Sequence, residues 1–459
     1  MGVAVSNWRL ANTVSRAGQL GVVSGSGMDT VLVRRLQDGD PGGHMRRAME
    51  RFPIPGVADD VLRRYFNADG RAPGAPYKLL PMLRQVASAD RQRIIALATF
   101  VEVWLAQEGH ERPVGINLLT KVQMPNMPSL YGAMLASVSV VLMGAGIPRE
   151  IPGILDAFAE HRAAEMRFEV EGIARDETPV LRFDPAALWP TPPQSPLVRP
   201  RFFPIVAAAS LATTLARKSN GRVDGFVVEG PTAGGHNAPP RGELRLNDRG
   251  EPIYGDRDIV DLAKLRELGL PFWLAGGTGS PDGLRAALSH GAAGIQVGTL
   301  FAYCNESGLP SDVKRRVLAA VGTGDASVRT DPRASPTGYP FKVVELAGDH
   351  ARPERTRICD IGLLRTPAQS ASGRIVYRCP AEPVADYVAK GGDASDTVGR
   401  QCLCNGLMAG VGYAQTRATG EEPPFLTSGD DLLRIPRGLR EAGSYSANDV
   451  IDYLLAAGG

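Results

Sequence analysis

Gly225-Phe-Val-Val-Glu229, followed at once by Gly230-Pro-Thr-Ala-Gly-Gly-His236, opens the stretch that decides the fold. It continues with Phe272-Trp-Leu-Ala275 running into Gly276-Gly-Thr-Gly279, and with Gly294-Ile-Gln-Val297 running into Gly298-Thr299. Each is a short apolar run of strand length that ends in glycine. Between the last two, Ser280 to His290 carries a serine cap, Pro281 in the first turn, and Leu284, Ala287 and Leu288 at helical spacing. Short apolar strands alternating with helices predict parallel βα units whose strands are buried on both faces. Continued along the chain, the pattern gives an α/β fold: a (β/α)8 TIM barrel with a helical insertion near the N-terminus and a smaller, mostly helical C-terminal lid or extension.

A phosphate is held best by several backbone N–H groups converging on it, and a Cβ would block that approach. In such a barrel the usual phosphate site lies in the loops after the seventh and eighth strands, at the C-terminal face. Gly276, Gly277, Gly298 and Thr299 are placed to supply it. One glycine cluster would serve equally as a tight strand–helix turn. Two in tandem, with a helix between them, favour phosphate binding.

Ala233–His236 (AGGH), Ala275–Gly277 (AGG), Val297–Thr299 (VGT) and Gly115–Leu118 (GINL) together resemble the nitronate monooxygenase (2-nitropropane dioxygenase) family. These are FMN-dependent barrel oxidoreductases related to flavin enoyl-acyl-carrier-protein reductases. The resemblance runs over residues 1–345 or so. It implies FMN, held by its phosphate at the glycine loops, with His236 as the catalytic residue facing the ring. The cofactor-binding residues it points to are Asn117, Lys121, Glu229, Gly234, Gly235, Ala275, Gly276, Gly277, Gln296, Gly298 and Thr299. It implies that the histidine removes the proton α to a nitro group, or holds the nitronate, while the flavin carries the redox chemistry and dioxygen reoxidises it.

Residue chemistry agrees with several of these roles. His236 follows two glycines at the end of a strand, where an imidazole projects into the barrel mouth and is expected to titrate near neutral pH. Its five counterparts sit elsewhere: His44 and His110 in polar segments, His161 and His290 at helix ends, His350 in a charged turn. Asn117 donates and accepts at once, which suits the mixed edge of a flavin, though a turn asparagine would look the same. Lys121 is either a cation beside the flavin N1 region or a solvated surface lysine. Glu229 faces the same barrel end and could orient His236 or the ribityl hydroxyls. Ser210 reads as a helix cap.

In chain order, the expected strands are Val3–Val5, Leu20–Ser24, Val114–Leu118, Val138–Met143, Phe203–Ala207, Gly225–Glu229 and the two after it. Helices are expected at Asn7–Ala17, Ser88–Glu108, Ser129–Ala136, Arg149–His161, Ser210–Ser219, Asp256–Leu268, Ser311–Val321 and Ser446–Ala456. Residues 1–27 carry the first strands, 28–110 the helical insertion, 111–325 the rest of the barrel, and 326–459 the lid and extension. Residues 163–200, with their proline cluster, read as an excursion, and Gly230–Gly255 as a long loop over the site. Members of the resembled family usually carry more residues before this point, so a clipped first strand or a late start codon is expected here.

Bulk properties exclude other classes. The chain has 459 residues, 43% of them hydrophobic, and a formal net charge of +2 without a basic block, so nucleic acid is not an expected partner. Val122 to Pro148 has no charged residue, but its prolines and its split into helix and strand exclude a membrane span. Five cysteines, an odd number, fit a reducing cytoplasm. Cys359, Cys379, Cys402 and Cys404 crowd one stretch without paired knuckle spacing, so buried thiols are expected rather than a metal site. The partners expected are a small-molecule electron donor and dioxygen, with oligomerisation open. The leading expectation is FMN-dependent oxidation of nitronates. The same motifs fit an NAD(P)H-dependent flavin reductase acting on an enoyl thioester or a quinone, and a flavin-free phosphate-ligand barrel, binding protein or lyase, is a third reading.

Overall fold

Seven short apolar runs lie side by side in one curled parallel sheet. The computed structural model describes residues 2–174, 177, 179–191, 193, 195–347, 355–441 and 443–456. The strands are β1 (Gly21–Ser24), β2 (Val114–Leu119), β3 (Val140–Gly144), β4 (Arg201–Val206), β5 (Phe226–Glu229), β6 (Phe272–Ala275) and β7 (Gly294–Gln296). They neighbour one another in chain order, all in parallel. β3 is buried along its whole length, as a strand covered on both faces must be. Helices connect successive strands on the outside, giving a TIM-barrel-like half-barrel.

The register brings the chemistry to one end. Ser24 pairs with Asn117, Glu229 with Ala275, and Ala275 with Gln296. These residues form the C-terminal rim of the sheet, where a parallel barrel places its active groups.

Val3–Val5 is not a strand, which corrects the expectation of eight. Ala4 adopts a left-handed φ of 51°, incompatible with extended pairing. The segment is held as a turn instead. Ser24 donates its N–H to the Ser6 carbonyl at 2.8 Å and its hydroxyl to the Gly2 carbonyl at 2.6 Å. Gly308 N–H donates to the Val5 carbonyl at 2.8 Å.

Other boundaries shift for physical reasons. The helix expected at Ser129 begins at Gln123 and accommodates Pro128. Ser210 is no cap: the helix runs Ala209–Lys218, with Ala208 before it. Asp256 opens only a short 3-10 turn, and Asp261 caps the helix Leu262–Arg266 by accepting from Ala263 and Lys264. The excursion after β3 contains an antiparallel hairpin, Ala164–Arg167 with Val180–Phe183. His350 lies outside the described residues.

The stretch between β1 and β2 packs its helices around Ala89–Gln107, which Ser88 caps. Two ion pairs tie it down: Arg91–Asp29 at 2.5 Å and Arg35–Glu102 at 2.6 Å, all four side chains largely buried. After the sheet, β8 (Ala326–Asp331) and β9 (Phe341–Leu346) form an antiparallel hairpin. Short helices follow, including Leu403–Gly410 and the Ser446-capped Ala447–Leu455. Among the described residues, no helix is long and apolar enough to cross a membrane.

Candidate functional site

The rim of the sheet encloses a cavity of about 660 Å³. That lies within the roughly 300–1,000 Å³ usual for small-molecule sites. Phe203 and Trp273 line it with stacked rings 4.8 Å and 29° apart. Ten of the twelve residues singled out from the sequence also border it: Asn117, Glu229, Gly234, Gly235, His236, Ala275, Gly276, Gln296, Gly298 and Thr299. Gly277 stands one residue behind. Lys121 is not brought there; its ammonium pairs with Glu169 at 3.2 Å and lies 5.9 Å above the Tyr339 ring.

The glycine loops have the geometry an anion needs. Gly276 and Gly277 have φ of +85° and +69°, a consecutive left-handed pair that turns neighbouring N–H groups the same way. A Cβ on Gly276 would meet the Ala233 nitrogen at 2.7 Å, so a side chain there is excluded. At Gly298 a Cβ would meet nothing, so the backbone faces open space. The N–H groups of Gly276, Gly277 and Gly298 have no acceptor among the described residues. Three unsatisfied donors beside one cavity are what a phosphate would satisfy, so these residues fit the phosphate of FMN.

His236 is held by partners that its own neighbourhood in the sequence did not reveal. Its Nε2 and the Ser335 hydroxyl are 2.7 Å apart, and Ser335 is fully buried. Phe341 stands edge-on at 4.7 Å between ring centroids. The backbone is pinned as well: His236 bridges to Phe341, and Lys342 N–H donates to the Gly235 carbonyl at 2.9 Å. Burial pulls the imidazole down to about 4, which corrects the expectation of near-neutral titration. Burial pushes the Glu229 carboxyl up to about 7. At neutral pH the cavity therefore holds a neutral imidazole and a carboxyl poised between its two forms.

The C-terminal region adds residues that sequence reading missed. Thr427, Ser428, Gly429 and Asp431 border the same cavity. Thr427 accepts the Gly235 N–H at 3.0 Å, and Asp431 accepts the Gly279 N–H at 3.2 Å. The Thr-Ser-Gly-Asp-Asp turn was the available signal, but nothing in its spacing ties it to β5 or β6. The four crowded cysteines line one small pocket with Glu382 and Arg365, and all are free thiols. A hydrogen bond from the Cys404 thiol brings Cys402 down to about 6 and holds Cys404 up. As they stand, no group of three or more His, Cys, Asp or Glu among the described residues is spaced to hold a metal ion.

Comparison with known proteins bears on the same region. Residues 187–330 match the family model for nitronate monooxygenase, so the resemblance read from the sequence stands over that segment. A nitronate monooxygenase of Pseudomonas aeruginosa is 32% identical over 162 residues, covering 34% of this chain and 38% of the relative. A Mycobacterium tuberculosis protein named as an octahydro-indene-carboxyl-CoA dehydrogenase is 34% identical over 117 residues, covering 26% of this chain and 29% of the relative. The chain thus aligns with well under half the length of these relatives. Among solved structures, a nitroalkane oxidase of Streptomyces ansochromogenes superposes with a TM-score of 0.45 at 16% identity, covering 99% of this chain and 92% of that one. FabK of Thermotoga maritima gives 0.41 at 18% identity, over 76% and 70%.

Proposed function

We propose, for a chain whose residues 187–330 carry the nitronate monooxygenase signature, an FMN-dependent oxidoreductase that oxidises alkyl nitronates with dioxygen. The observation that supports it most is the meeting, in one cavity, of an unsatisfied glycine cradle and a half-buried neutral imidazole. Bound there, FMN would supply the electron acceptor and the route to dioxygen. Gly276, Gly277 and Gly298 would hold its phosphate, and Asn117 and Gln296, which border the same cavity, would meet its ring edge with both donors and acceptors.

The imidazole's low basicity shapes the substrate preference. A group titrating near 4 is a weak base for pulling a proton from carbon. It remains neutral at pH 7 and can hydrogen-bond to an anion already formed. Glu229, poised near 7, carries little charge below that pH and so does not repel an anionic substrate. Preformed nitronates are therefore the favoured substrates over neutral nitroalkanes. The test is oxygen uptake with matched nitronate and nitroalkane pairs, with and without NADH. Uptake with nitronates alone supports the reading; no uptake with any nitronate sinks it.

A second reading draws on the relative named as a CoA-thioester dehydrogenase, which aligns with the chain as well as the nitronate monooxygenases do. In that case the flavin would exchange electrons with a nicotinamide and an unsaturated thioester. Anaerobic bleaching by NAD(P)H alone, with no response to nitronate, would establish it.

A further inference from the structure

The segment Thr427–Asp431 comes from the far end of the chain yet is threaded between the rim loops. Asp430 N–H donates to the Thr232 carbonyl at 3.0 Å, and Gly429 N–H donates to the Thr299 hydroxyl at 3.0 Å. Lys342, itself buried, pairs with Asp430 at 2.6 Å and tethers the segment to β9. Gly429 passes so close that a Cβ would meet the Thr232 oxygen, the Thr299 hydroxyl and the Gly234 nitrogen within 3.0 Å. The segment is thus a fixed wall beside the loops that end β6 and β7, not a loose flap.

Two side chains of that wall bear on an anion. Ser428 borders the cavity and is 4% exposed; its hydroxyl lies against the Tyr303 phenol in a weak contact short of good hydrogen-bond geometry, and has no other partner among the described residues. A buried hydroxyl left without a partner costs stability unless a ligand satisfies it. Asp431 also borders the cavity and already occupies the Gly279 N–H, next to the free N–H groups of Gly276 and Gly277. Its carboxylate is a resident negative charge beside the place where a phosphate would sit.

We propose that Thr427–Asp431 is the third wall of the phosphate cradle, in which the Ser428 hydroxyl donates to a bound phosphate monoester and the Asp431 carboxylate opposes it. This rests on the FMN reading above and extends it to the role of the C-terminal region. The two side chains set the affinity in opposite directions, and both act on the phosphate alone.

Riboflavin, which lacks the phosphate, separates this role from simple packing. Purified full-length protein is titrated with FMN and with riboflavin, following flavin fluorescence. Ser428→Ala is expected to weaken FMN binding roughly 10-fold or more, the loss of one hydrogen bond to a charged group. Asp431→Asn, which can keep the bond from Gly279, is expected to tighten FMN binding about threefold or more. Riboflavin affinity should not change in either variant, which also shows that the cavity is intact. Unchanged FMN binding in Ser428→Ala, or equal changes for both flavins, overturns the assignment of the wall while leaving the FMN reading in place. Wild-type protein that binds neither flavin overturns the FMN reading itself, and the wall's role with it.

Discussion

His236 and Glu229 lie at the same cavity, and burial moves both toward their neutral forms. Their consequences for stability have opposite signs. The His236 ring binds its proton more weakly when folded, so the unfolded chain holds more protons between about pH 4 and 6.5, and stability is lost as pH falls through that window. His236→Asn should remove that loss, a difference on the order of 3 kcal/mol at pH 4, seen by comparing denaturant midpoints at pH 4 and 7. The Glu229 carboxyl holds its proton longer when folded, so its contribution falls as pH rises from about 4.5 to 7. In turnover the same group should make kcat/KM for a nitronate decline above about pH 7, as the carboxylate begins to repel the substrate. Glu229→Gln should flatten that decline; an unaltered profile would clear Glu229 of the effect.

At the scale of elements, the turn after β6 carries the strain and the function together. Gly276→Ala would force a side chain into a left-handed turn and against the Ala233 nitrogen. We expect a cost of about 1–3 kcal/mol in stability, and loss of FMN binding by fluorescence titration. The neighbouring turns were legible in the sequence because paired glycines directly after a short apolar strand mark a backbone that must bend where a Cβ would not fit. Val3–Val5 was not, since three apolar residues look like a strand until Ala4 turns left-handed and Gly308 takes the Val5 carbonyl. The partner of His236 was equally hidden. Ser335 lies 99 residues away, and only the β8–β9 hairpin, docked through Phe341, brings it to 2.7 Å. For Lys121 the sequence left two readings open, and the structure fits the surface one: it pairs with the exposed Glu169, on the excursion after β3.

For the whole molecule, the cavity is shared between the sheet and the region that follows it. Flavin bound at both should stabilise the entire chain, by about 2.7 kcal/mol at a concentration 100 times the Kd. That predicts a rise in Tm with FMN, and slower hydrogen exchange at 427–431 as well as at 276–279. Exchange that slows only at 276–279 would separate the two halves. The buried Arg91–Asp29 pair gives a control outside the cavity lining. Asp29→Ala should cost about 3–5 kcal/mol by stranding the guanidinium, with no specific change in flavin affinity once folded.

The threading of Thr427–Asp431 through the rim also fixes an order of events during synthesis. The seven strands leave the ribosome long before these residues do, so a nascent chain can assemble its sheet while the pocket still lacks a side. A premature stop codon a few dozen residues from the end would leave that pocket open and also strip Leu432, Tyr445 and Val450 from the core, so such a chain should neither hold flavin nor fold stably.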